Sequence, residues 1–160
     1  MPLLYVTNLG DCQVLVIRPK EEEIIFRTSG QWHWFDCPMQ LGTNSVDTPQ
    51  QDAVLSTIEL QEDDIVVAVS DGVTDNLWEH EVAKVVLDSL RDWEDTRQKD
   101  HSSGQLGPQG DKGSAMVYGA QQLLQSAREV ALDPFAQTPY MEKAIRDGLA
   151  IEGGTSISFI

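Results

Sequence analysis

The chain has 160 residues, 41% of them hydrophobic, and 26 Asp and Glu against 11 Lys and Arg give a formal charge of −15. That length suits one modest soluble domain with a real core and is too short for two. Such a charge, with no Lys/Arg patch to offset it, excludes a generic nucleic-acid binder and disfavours an anionic membrane surface, and no apolar run approaches the ~18–20 residues that membrane insertion needs.

The opening MPLLYVTNLGD has no basic n-region and no long apolar h-region, so neither a signal peptide nor an Arg-rich presequence is expected. Strand-like sequence starts almost at once, which suggests that an upstream segment is missing. Leu3–Thr7 reads as a short apolar strand, and Asn8-Leu9-Gly10-Asp11 as a turn in which Gly10 can take a positive φ. Gln13–Arg18 follows as a strand buried on both faces, so the two are expected to form a β-hairpin. Ile24–Arg27 is a third strand. Residues 28–52 read as irregular, and the aromatics Trp32, Trp34 and Phe35 within them either present a binding surface or, the weightier reading, fold back onto the core.

Ala53–Leu60 alternates as an edge or half-buried strand, and Ile65–Val69 as a continuous buried one. A helix is expected from about Trp78 to Trp93, with Val82, Val85, Val86, Leu90 and Trp93 on one face and Asp75 or Asn76 as its cap. Residues 94–113 turn hydrophilic and Gly-rich and read as a flexible polar insert. Helices over about Ser114–Leu132 and Tyr140–Leu149 follow, then a terminal strand Ser156–Ile160. Strands, then helices, then a strand predict an α+β fold, with residues 1–160 forming a single domain. Cys12 and Cys37 lack further ligands at zinc spacing and are expected to be buried or free thiols.

The placement of the acids says more than their number. Glu21-Glu22-Glu23 and Glu62-Asp63-Asp64 are solvated runs, whereas Asp11, Asp71 and Asp75 stand beside glycines at strand ends. Asp71-Gly72 directly follows the Val-rich strand, so its carboxylate projects from a rigid sheet end and Gly72 permits close approach. Asp75 faces the same space if the chain turns once between them. Three converging carboxylates repel and need a counter-ion, which hard oxygen-seeking divalent cations, Mg²⁺ or Mn²⁺, supply. From spacing alone the plainer reading, that Asp11 and Asp75 are turn or cap residues, weighs more.

Resemblance shifts that balance. Asn8-Leu9-Gly10-Asp11-Cys12 resembles the NxGDS turn of the metal-dependent protein phosphatases (PPM, or protein phosphatase 2C, family), with Cys12 where serine is usual. Ser70–Asn76, SDGVTDN, is similar to that family's DGxxDN motif. Gln31–Leu41 (QWHWFDCPMQL) is similar to a QxHxFNxPxQL stretch, and Asp133–Ala144 to a DPFxxSPYxxxA segment of one branch. That branch is best known from small mitochondrial and plastid phosphatases, so the resemblance suggests a mitochondrion. It implies a β-sandwich of two antiparallel sheets flanked by helices, four αββα layers when complete, of which this chain would be part. It also implies hydrolysis of phosphoserine and phosphothreonine in a phosphoprotein substrate by water acidified between two Mg²⁺ or Mn²⁺ ions. Asp71 would bind one ion of the catalytic pair, Asp11 and Asp75 a third and weaker ion, and Gly10 and Gly72 would shape the site. Neither cysteine has a nucleophilic role in that scheme.

Two departures qualify it. No upstream Asp-Gly-Val-Gly-Gly segment bridges the metals, and no phosphate-binding arginine or general-acid histidine comes from that half. Where the family reads GGKxDDIS, the chain reads Gly153-Gly154-Thr155-Ser156-Ile157-Ser158, without the metal-binding aspartate. One first-shell carboxylate cannot hold two Mg²⁺ ions in near-octahedral oxygen shells. The expectation is therefore a truncated or degenerate phosphatase with little activity and exposed sheet edges prone to aggregation, or else a partner-binding module without catalysis.

Overall fold

A computed structural model of the chain describes residues 1–102 and 112–149. Its strands pair antiparallel and helices flank them, the α+β arrangement expected. Strand β2 (Gln13–Arg18) is the centre of a three-stranded sheet, between β3 (Glu23–Arg27) and β7 (Ile65–Val69). Leu15 and Ile17 point from one face of β2 into a core shared with Ile65 and with residues of α3 (Glu79–Ser102) and α4 (Lys112–Ala131), including Val82, Val86, Leu123 and Ala127. Val16, on the opposite face by strand alternation, is also fully buried. β2 is thus covered on both faces, as its unbroken apolar sequence predicts. β7 is not: Ile65 is buried, but Val66 on its other face is 44% exposed.

The expected hairpin between the first two strands does not form. β1 (Leu3–Asn8) instead pairs with β6 (Val54–Glu59), Leu3 facing Glu59 and Asn8 facing Val54. The short turn after Asn8 carries the chain from one sheet to the other. Alternation in β1 buries Val6 and Asn8 and leaves Leu3 and Tyr5 in solvent, together with Leu55 of β6. The half-buried reading of β6 fits this two-stranded sheet.

Residues 28–52 are less irregular than their composition predicts. They hold the small ladder β4 (Trp32–Trp34) with β5 (Cys37–Pro38) and a single turn α1 (Pro49–Asp52). Gln31 fastens this segment to the β1–β2 turn, its N–H donating to Gly10 O (3.0 Å) and its side-chain oxygen accepting from Gly10 N–H (3.2 Å). Its Nε2 donates to Asp52 O at 2.7 Å.

The helix expected to end near Trp93 runs to Ser102, well into the stretch expected to be a flexible insert; the middle of that insert lies outside the described residues. The residues beyond Trp93, EDTRQKDHS, contain neither Gly nor Pro, so nothing in them stops a helix already nucleated. Lys84–Asp88 (2.8 Å) and Arg91–Asp88 (3.2 Å) bridge successive turns farther up. α3 starts at Glu79, so Trp78 rather than Asp75 or Asn76 stands at the position just before it, and Glu81 reaches back to accept the Trp78 N–H at 2.9 Å. α5 (Pro139–Arg146) starts on Thr138, whose hydroxyl accepts the Met141 N–H, with Pro139 at the first helical position. The terminal strand expected over 156–160 lies outside the described residues.

Gly10 holds the crossing between sheets. Its φ is +102°, and a Cβ there would sit 2.8 Å from the Met39 carbonyl oxygen. Gly10→Ala is expected to destabilise the fold by on the order of 1–3 kcal/mol, read as a lowered urea midpoint with an unchanged m-value.

Candidate functional site

The antiparallel register of β2 with β7 places Gln13 opposite Val69. The residues just before β2 therefore lie beside those just after β7, and these are Asp11-Cys12 and Ser70-Asp71. Beyond β7 the chain enters one tight helical turn, α2 (Asp71–Thr74), in which Asp75 N–H donates to Asp71 O at 2.7 Å. Four residues on an α-helical path return Asp75 to the side of Asp71, the single turn that the spacing suggests. Asn76, almost wholly buried, fixes the turn by donating from Nδ2 to Gly72 O (3.0 Å), while Gly72 N–H donates to Asp71 Oδ1 (2.7 Å).

Asp11, Asp71 and Asp75 thus come together electrostatically. Burial pushes the Asp75 carboxyl up to about 7, reinforced by the negative charges of Asp71, Asp11 and Asp36 and opposed by Lys143. Asp11 is also raised, chiefly by burial and then by Asp71; hydrogen bonding from its own backbone, the charge of Lys143 and a hydrogen bond from the Trp32 side chain hold it down. The Cys12 thiol is raised by burial and by the same two acids, Asp11 and Asp71. A thiol in that field stays protonated at neutral pH and is a poor nucleophile. Both cysteines are free, Cys12 exposed and Cys37 half-buried.

Two contributors to this site carry no motif signal. Trp32, from the aromatic loop, lays its ring under the Lys143 ammonium, 3.6 Å from Nζ to the ring centroid. Lys143 comes from α5, which is tied to the site where Tyr140 N–H donates to Asp75 O at 3.0 Å. Phe35 stacks on Tyr140 with centroids 5.5 Å apart. Trp32 and Phe35 therefore meet α5 rather than the main core, whereas Trp34 is 69% exposed. The composition of the QWHWF stretch flags the aromatics; nothing local in the sequence flags Lys143.

Among the described residues, no three His, Cys, Asp or Glu side chains form a group able to hold a metal ion. The three aspartates share an electrostatic environment without the convergent oxygen geometry that Mg²⁺ or Mn²⁺ demands. By themselves they do not fit a two-ion centre.

No family model matches the chain. It is similar to the probable protein phosphatase 2C 80 of Arabidopsis thaliana, 34% identical over 152 residues, which cover 94% of this chain and 31% of that protein. It is also similar to the protein phosphatase PTC7 homolog of Homo sapiens, 26% identical over 94% of this chain and 45% of the relative. Among solved structures it resembles the photosystem II phosphatase PBCP, with a TM-score of 0.70 and 26% identity, covering 96% of this chain and 55% of that one. The chain spans less than half the length of these two curated relatives.

The raised carboxyl of Asp75 has a thermodynamic signature. Between about pH 4 and pH 7 the folded state holds a proton that the unfolded state has released, so stability falls as pH rises through that window and levels off above it. Asp75→Asn is expected to flatten this slope and to raise stability at pH 7.5 by on the order of 2 kcal/mol. Urea unfolding of both proteins from pH 4 to 8 checks it; an unchanged slope in the variant refutes the assignment to Asp75.

Proposed function

We propose that this chain, which belongs to the protein phosphatase 2C (PPM) family over the part of that fold it spans, derives from a serine/threonine phosphatase domain and is by itself weakly active or inactive. The observation that carries the reading is the meeting of Asp11, Asp71 and Asp75 at one sheet end, on the two motifs that resemble the family's own. Asp71 is the carboxylate proposed to ligate Mg²⁺ or Mn²⁺, with Asp11 and Asp75 as a weaker flank and Gly10 and Gly72 shaping their turns. A divalent ion of this kind supplies an acidified water and polarises the phosphoryl oxygens when bound.

The chain's own groups do less than that. Asp71 stands just past the end of β7, and the helical turn it opens holds Asp75 beside it. Asp75 retains a proton to near neutrality, which weakens it as a ligand. Cys12, kept as the thiol, offers no covalent route. The incomplete ligand set is why turnover is expected to be slight. A phosphoprotein is the substrate class proposed for the domain.

A second reading, a partner-binding module without catalysis, is favoured by the exposure of Trp34 at the tip of the β4–β5 ladder. Metal binding separates the two. The purified chain with Mn²⁺ is expected to release phosphate from a phosphothreonine peptide or p-nitrophenyl phosphate at close to the background rate. Calorimetry is expected to show weak Mn²⁺ binding that Asp71→Asn abolishes. Brisk Mn²⁺-dependent turnover that disappears in Asp71→Asn would overturn the claim of low activity. No Mn²⁺ binding in either protein would favour the binding module.

A further inference from the structure

Among the described residues β7 is an edge of its sheet, and it is an unguarded one. Edge strands are commonly protected from stray pairing by charge or proline. β3, at the opposite edge, carries Glu23 and Arg27, whereas β7 reads IVVAV, with neither charge nor proline. Beside it runs an apolar trough of about 430 Å³, lined by Val67 and Val69 of β7, Val86 and Leu90 of α3, and Leu123 and Leu124 of α4. Leu124 remains 50% exposed there. Gly119 of α4 also lines the trough, and a Cβ on it would meet nothing within 4 Å, so the helix backbone is open to close approach. A free strand edge beside an apolar helix face is shaped to receive one more strand.

We propose that this trough is the docking site of the chain's own C-terminal residues 156–160, which add to the free edge of β7 as an antiparallel strand. Two observations select that occupant. The first is pattern: in Ser156-Ile157-Ser158-Phe159-Ile160 the large apolar pair Ile157 and Phe159 alternates with two serines. β7 is two-sided in the same way, Ile65, Val67 and Val69 packing on the helical core while Val66 and Ala68 face solvent. Ile157 and Phe159 therefore go against α4, and Ser156 and Ser158 lie on the open face beside Val66 and Ala68. The second is reach. α5 is docked near the Val69 end of β7, where Tyr140 N–H donates to Asp75 O. Residues 150–155 span about 20 Å when extended, more than the roughly 12 Å length of α5 that the chain has to retrace. A tail entering from that end runs against β7, the sense of every strand pair among the described residues. The docking involves neither a metal nor phosphate, so it stands or falls apart from the phosphatase reading.

Amide hydrogen exchange reads the docking directly. In an antiparallel ladder alternate residues of β7 bond to β2 and the others present their N–H groups outward. Those outward amides are expected to exchange about tenfold or more slowly in the full chain than in a chain ending at Glu152. Within the full chain, Phe159→Lys is expected to remove this protection and Ser158→Lys to leave it, which keeps the test decisive if the shortened chain does not fold. Thermal melting supplies an independent arm. Leu124→Gln is expected to lower Tm by about 3–6 °C in the full chain and by much less when Phe159→Lys is already present, because the two residues then no longer share a contact. Equal exchange of the outward amides with and without Phe159→Lys overturns the proposal. Strictly additive melting losses for Leu124→Gln and Phe159→Lys overturn it as well. Protection that fades on dilution also overturns it, since the trough then holds the tail of a second copy.

Discussion

The pairing of β2 with β7 is the constraint on which the rest of this structure depends. It joins segments some fifty residues apart in the chain, Gln13 facing Val69 and Ile17 facing Ile65, and sets the ends of both strands side by side. Period-two alternation then leaves little choice. A one-residue slip would turn Leu15 and Ile17 away from α3 and α4 and bring Val16 to the helices in their place. The same register decides where the acids lie, since Asp11 precedes β2 and Asp71 follows β7. At the other end of the pair, Arg18 donates from Nε and Nη2 to the nearly buried Asp64, both at 2.9 Å, a bidentate clasp that holds the strand ends in step. Hydrophobic burial fixes the register, and the register fixes the electrostatics.

Those electrostatics work against folding. Two like charges about 6 Å apart interact by roughly 3 kcal/mol at an effective dielectric of 20, and the cluster holds three acids with Asp36 near enough to act on Asp75. The protein answers in two ways visible in its structure. It leaves Asp75 protonated to near neutral pH, which removes one of the charges, and α5, docked on the turn by the Tyr140–Asp75 backbone bond, adds the opposing charge of Lys143. Each remedy has a chemical consequence. A protonated Asp75 is a poor ligand, and an ammonium beside the cluster repels a second cation.

Much of this was open to reading in the sequence, and the division follows the range of the forces. β2, β7 and the helical turn from Asp71 to Asp75 are local patterns: unbroken Val and Ile runs, an Asp-Gly junction, a spacing of four. Such patterns report their own burial and geometry directly. The partner of β1 was not legible, because a two-stranded sheet with one face in solvent is satisfied equally by a neighbouring strand or by β6 some fifty residues on. The short turn at Asn8–Asp11 favours a hairpin by proximity. What defeats it is that Gly10 is bonded to Gln31 and lies under Met39, so the turn is spent on changing sheets. The helical continuation past Trp93 is hidden in the sequence for a different reason: high polarity marks solvent exposure, and an exposed helix extension is as polar as a coil.

The seat of Lys143 shows the limit of motif reasoning most sharply. Asp11, Asp71 and Asp75 can be found because each stands in a pattern that resembles something, but the charge that balances them lies on α5, nearly seventy residues after Asp75, and is oriented by a tryptophan and a glycine from a third segment. No pairwise spacing relates these positions. The backbone bond from Tyr140 to Asp75 relates them, since it docks the first turn of α5 on the acidic turn and leaves Lys143, one turn farther along the helix, above the Trp32 ring. A relative that keeps all three aspartates but lacks a cation on α5 would present the same motifs and a different electrostatic site.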